Sequence, residues 1–231
     1  MQEGRRAQDY VAELVRLRAE SAGGLDWRGW VDLYARSAQW DVELDQVDDE
    51  GLRQAHGDQR RELNVEFGQY VEQHYESWAA GREAPPLSTD VIERWVAPHL
   101  REKRRVYFIV VDCMRLAQWL TIEPLIRTHF DVAVDHHVSI LPTATPYSRN
   151  AIFSGLFPDE IQRQHPEFWH EGAGDERSKN RYERQLLDLH LKRLSIELAS
   201  PPKYIKIYNT EEANLVRRNV VTFQNIPLVA L

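Results

Sequence analysis

Apolar residues recur every three or four positions through the first hundred residues, then gather into short runs that alternate with helical stretches. Over residues 3–21, Tyr10, Val11, Leu14, Val15 and Leu17 share one helical face, and Gly23 and Gly24 end that predicted helix. Asp26 caps the next, whose stripe runs Trp27, Trp30, Val31, Leu33, Tyr34, Ala38, Trp40 and Leu44. Asp48 and Asp49 reopen the chain for a long helix over 50–78, with Leu52, Leu63, Phe67, Tyr70, Val71, Tyr75 and Trp78 facing inward. Three such helices make a bundle, and aromatic residues at helical spacing are assigned to its packing. A loop over 81–87 containing Pro85 and Pro86 leads to the cap Ser88 and a short helix over 89–96 that stops before Pro98.

After residue 104 the pattern changes. Val106-Tyr-Phe-Ile-Val-Val111 is a continuous apolar run ending on Asp112, which reads as a central parallel strand. An amphipathic helix over 115–130 and an alternating strand over 132–141 complete a predicted βαβ unit. Thr145 to Ser154 reads as a helix closed by Gly155, with Pro158 at the first position of another. A loop over 172–175, a helix over 178–198, a strand over 204–208 and a helix over 211–217 follow. Ile226 to Leu231 reads as a further buried strand. The fold class is therefore α/β, with a helical bundle over 1–103 and an α/β part over 104–231. Functional groups of such sheets sit just past the carboxyl ends of strands, so a sequence stopping inside a strand is expected to be truncated, with an unpaired strand edge.

Composition narrows the class of protein. With 231 residues, 42% hydrophobic and 28% charged, the chain can build one domain of good size or two small ones. No run of about 18 apolar residues and no apolar leader is present, which makes the cytoplasm the expected location. The single cysteine, Cys113, excludes an intrachain disulfide framework and a CxxC zinc site, leaving oxygen and imidazole as metal ligands. A net charge of −7 with interspersed signs argues against a general nucleic-acid surface. The one basic run, Arg101, Lys103, Arg104 and Arg105, reads as a solvated segment.

Two places carry chemistry. Asp112 leaves a buried strand just before a helix, where open sheets hold metals and phosphates, although a helix cap has the same pattern. Thr145 and Pro146 begin a helix as predicted N-cap and N1, and a hydroxyl there either caps the helix or attacks a phosphoryl group held over the same N–H groups. Arg149, one turn along, and Asn150 are candidates for contacting a phosphate oxygen. His136 and His137 are adjacent on a predicted strand, point to opposite faces, and are read as strand positions.

Together, Asp112 with Arg115 and the long stretch Leu141-Pro-Thr-Ala-Thr-Pro-Tyr-Ser-Arg-Asn-Ala-Ile-Phe-Ser-Gly155-Leu-Phe-Pro158 resemble PglZ-domain proteins of the alkaline phosphatase superfamily. Upstream, the Trp27–Trp40 helix, Asn64-Val-Glu-Phe-Gly68 and Leu87-Ser-Thr-Asp-Val91 look like the helical connector of PorX-like response regulators. The resemblance implies the first half of an alkaline-phosphatase-like sandwich with a mostly parallel central sheet. It also implies a receiver domain before residue 1 and later Asp and His ligands after residue 231. By the same resemblance Asp112 ligates a metal, Thr145 is the nucleophile between two divalent ions, zinc by family habit, and Thr143 and Arg115 support them. The family's acidic residue two past the arginine is Ala117 here. The implied activity is hydrolysis of a phosphoester, a phosphodiester foremost, with this chain expected to be inactive alone. The alternative is a non-catalytic signalling module dimerising through the bundle. Expected partners are a sensor histidine kinase, a second copy of the chain and the phosphoester substrate, with no membrane.

Overall fold

The computed structural model describes residues 2–169 and 180–231. The predicted loop over 172–175 and the start of the helix predicted from Ser178 lie outside the described residues. The helices are α1 (Gln2–Ser21), α2 (Trp27–Leu44), α3 (Glu50–Ala79), α4 (Ala97–Arg101), α5 (Leu116–Arg127), α6 (Thr145–Ser154), α7 (Pro158–Gln164), α8 (Glu183–Arg193) and α9 (Thr210–Asn219). The strands are β1 (Val106–Phe108), β2 (Lys203–Tyr204) and β3 (Leu228–Ala230). The chain forms two compact units, one running to Pro85 and including Cys113–His136, the other comprising Pro86–Asp112 and His137–Leu231.

In the first unit, Asp26 and Asp49 cap α2 and α3 by accepting from the backbone N–H of Gly29 and Leu52. Leu17, Trp30, Leu33 and Leu63 form its core. A buried polar chain ties the three helices together: the Tyr10 hydroxyl lies 3.1 Å from His56 Nδ1, and His56 Nε2 lies 2.9 Å from Asp41. Burial holds the His56 imidazole below its usual pKa despite the opposing pull of Asp41. The expected βαβ unit is not formed. Instead α5 packs against α2 of the bundle, and residues 132–141 contribute a single parallel bridge, Leu87 to Val138, in place of a strand. The backbone there is satisfied locally: Val138 N–H donates to the Pro86 carbonyl and Ile140 N–H to the Ser88 hydroxyl.

The second unit is built on a three-stranded parallel sheet in the order β1-β3-β2. Val106 pairs with Leu228 and Lys203 with Val229. The final apolar run is thus the central strand, paired on both sides and buried at all three residues, whereas β1, expected at the centre, flanks it. The ladder continues beyond β1 through Leu231 N–H to Phe108 and Val110 N–H to Leu231. Val106, Phe108 and Val110 turn to the core, while Tyr107, Ile109 and Val111 are exposed. Ile92, Phe153, Leu186, Leu187 and Leu191 build that core together with the sheet. Truncating a fully buried ring such as Phe153 would cost about 3–5 kcal/mol. Helix α4 runs past Pro98 because the proline occupies its first turn, where no N–H is required.

Gly155 closes α6 at φ +62°, and a Cβ placed there would stand 2.3 Å from the His190 ring and 2.7 Å from Arg193. Both the backbone conformation and the close approach of α8 therefore demand glycine. Gly155→Ala is expected to lower the stability of this unit by at least about 2 kcal/mol, read as a reduced midpoint in urea denaturation.

Candidate active site

Asp112 lies where β1 has run out at its carboxyl end, with its side chain 42% exposed. The N-cap position of α5 is held by Arg115, whose N–H is bonded by the Gln118 side chain at 2.8 Å. The Asp112 carboxylate faces Arg149, with Oδ2 3.5 Å from Nη1. Arg149 is on α6, so this ion pair joins the strand end to the helix that begins at Thr145.

Thr145 is the first residue of α6, Ala144 is the N-cap, and no side chain caps the helix. The register is shifted by one from the expected Thr145 cap with Pro146 at N1, since Ala144 has the extended backbone (φ −62°, ψ 143°) and Thr145 is already helical. Thr145 is half-buried, and among the described residues its hydroxyl has no hydrogen-bond partner. Pro146 has no N–H, and Tyr147 and Ser148 donate back to the Ala144 carbonyl, which leaves the Thr145 amide as the open donor of that turn. Thr143 is exposed two residues earlier. Arg115 belongs to the first unit.

Behind Arg149 is a carboxylate that sequence patterning did not single out. Glu183 has no exposed surface, and it takes Arg149 Nε at 2.8 Å and Nη2 at 3.0 Å as a two-pronged pair. Lys206 Nζ stands 3.2 Å from its Oε2, and the Tyr204 hydroxyl donates to the same oxygen. Burial works against the Arg149 charge, but Glu183 outweighs it and holds the guanidinium above its usual pKa. Burial, then the Glu183 charge, pushes the Tyr204 phenol well above its ordinary range. Asn180 completes the cluster: its amide donates to the Asn150 side chain at 3.2 Å and the Pro146 carbonyl at 3.4 Å, and its own carbonyl accepts from Lys206 at 2.6 Å. Asn150 is buried within this network. A sequence signal for Glu183 existed, because it lies three and four residues before Leu186 and Leu187 and so shares their buried helical face. Tyr204 and Lys206 likewise share one parity along an extended segment.

Among the described residues no group of three His, Cys, Asp or Glu side chains is placed to hold a metal ion. Asp112 and Thr145 are oxygen donors of suitable type, yet two donors do not complete a four-coordinate zinc site. His137 lies against the Trp95 ring at 6.3 Å, and His136 falls in the first unit.

With this geometry in place, the comparisons with known proteins define the class. The family model for the BREX system PglZ alkaline phosphatase-like domain matches residues 91–222, more than half of the chain, and the chain belongs to that family. The PorX response regulator linker domain matches residues 1–79, so the two parts together make a PorX/PglZ-type protein. Proteins of the alkaline-phosphatase-like superfamily generally use divalent metals. No curated protein matches the chain. No helix among the described residues is long and apolar enough to cross a membrane.

The site rests on the α6–α8 contact, where buried His190 donates from Nδ1 to the Phe153 carbonyl at 3.2 Å. Burial and then the Arg193 charge push its pKa down from 6.5 to about 4. The folded state holds the neutral ring, so this contribution is complete above pH 6.5. It is lost as pH falls towards 4, because the unfolded chain binds a proton that the folded one refuses. Urea denaturation should register a loss of about 3 kcal/mol across that window, and His190→Gln should flatten the slope.

Proposed function

We propose that this protein is a phosphoester hydrolase, with a phosphodiester as its substrate and Thr145 as its nucleophile. The observation that carries the reading is the Asp112–Arg149 ion pair, which ties a strand-end carboxylate to the helix opened by an uncommitted threonine hydroxyl. Thr145 does not hold the N-cap position of α6, which was the competing explanation for it. In the proposed reaction the Thr145 oxygen attacks phosphorus in line, the alcohol leaves, and water hydrolyses the resulting phosphothreonine. The positive end of α6 and the Arg149 Nη1 edge face the charge that develops on the phosphoryl oxygens. Asn180 holds the first turn of α6 at the Pro146 carbonyl and ties it to Asn150 further along the helix.

The metal is proposed as two zinc ions, which would supply the acidity that a threonine hydroxyl lacks. Asp112 is the carboxylate this chain brings to them. The same proposal includes control by phosphorylation from a sensor histidine kinase, in the cytoplasm. A second reading, a signalling module that dimerises through the bundle, is favoured by Val11 and Val15, exposed one turn apart on α1.

Zinc content and hydrolysis of bis(p-nitrophenyl) phosphate, measured on the full-length protein, test the first reading. Two zinc ions per chain are expected, and Thr145→Ala should reduce turnover by on the order of 1,000-fold or more. Undiminished hydrolysis by that variant, or no bound divalent metal, would remove the hydrolase reading.

A further inference from the structure

We propose that Glu183 is a positioning residue: its buried carboxylate clamps one edge of Arg149, which aims the opposite edge at Asp112 and at the phosphoryl group to be held there. The inference rests on the hydrolase reading of Thr145 and Asp112. It adds a residue that acts through another, on the helix whose His190 also supports α6.

The geometry of Arg149 is set on its inner side. A guanidinium on a flexible stem can rotate about several bonds, but a two-pronged pair through Nε and Nη2 fixes both the plane of the group and the direction of Nη1. Lysine could supply the charge but not the plane. Glu183 is in turn held at Oε2 by Lys206 and Tyr204, so the carboxylate has little freedom to follow Arg149 outward.

Charge points the same way. A buried carboxylate needs one cation for compensation, and this one has two, Arg149 and Lys206. The second cation is balanced by the carboxylate at the strand end, because Arg149 touches Asp112 together with Glu183. An incoming phosphodiester anion would share the Nη1 edge with Asp112, without any rearrangement of the inner pair. Asn180 links the same cluster to the Pro146 carbonyl, next to Thr145, so the clamp and the nucleophile's helix turn share one support.

The test uses the full-length protein with bis(p-nitrophenyl) phosphate, comparing Glu183→Gln, Glu183→Asp, Arg149→Lys and the double variant Glu183→Gln/Arg149→Lys. Arg149→Lys should raise KM about tenfold with a smaller change in kcat, as expected for a lost substrate contact. Glu183→Asp keeps the charge but shortens the reach, and should shift KM in the same direction while circular dichroism reports a folded protein. Glu183→Gln should follow Arg149→Lys, and in the double variant should add less than about twofold, because it acts only through Arg149. A purely structural Glu183 would lower the melting temperature and leave KM unmoved, or would add its full effect in the double variant. Either result overturns the inference while a dead Thr145→Ala keeps the hydrolase reading. Full activity in Thr145→Ala would remove that reading, and this inference with it.

Discussion

A carboxylate with no exposed surface organises the second unit of this protein. Glu183 is tolerated in the core only because Arg149, Lys206 and Tyr204 all bring hydrogen-bond donors to it. Those three side chains come from α6, from the segment following β2, and from β2 itself, so satisfying one buried charge fixes how a helix and a strand sit against α8. Arg149 then reaches outward to Asp112 and connects that internal constraint to the end of β1. The candidate site is in this sense the outer edge of a core electrostatic requirement.

The sheet places the site through the same economy of pairing. β3 is flanked on both sides by parallel partners, and the ladder runs on through Leu231 to hold the chain extended as far as Val110. Asp112 follows two residues later, where the backbone leaves the sheet. Gly155 lets α8 approach the end of α6 closely enough for His190 to reach the Phe153 carbonyl. The first unit solves a comparable problem with neutral and charged groups in series, Tyr10 to His56 to Asp41, and Arg60 closes the chain at 2.9 Å from Asp41.

Much of this was legible along the chain. The three bundle helices, the helix Thr145–Ser154 with its Gly155 cap, and the parallel character of the sheet follow from local rules of periodicity and capping. The family resemblance drawn from the Asp112 and Thr145 stretches agrees with the matching family models. What failed was the partner of α5. An amphipathic helix announces that it has an apolar stripe but not which element will pack beside it, and here that element is α2, with no α5 residue fully buried. Once α5 had gone to the bundle, the alternating residues after it had no neighbouring strand and made only the Leu87–Val138 bridge.

By itself the sequence determined most of the elements, the family and the two motifs at Asp112 and Thr145, because each depends on residues close together in the chain. Only the tertiary structure decided that Ala144 and not Thr145 is the cap of α6, that β3 is central, and that Glu183 stands behind Arg149 from 34 positions away. The physical reason is that hydrogen-bond and charge compensation are settled by whatever group is nearest in space. A carboxylate on a helical face carries no local mark of the cation that will meet it.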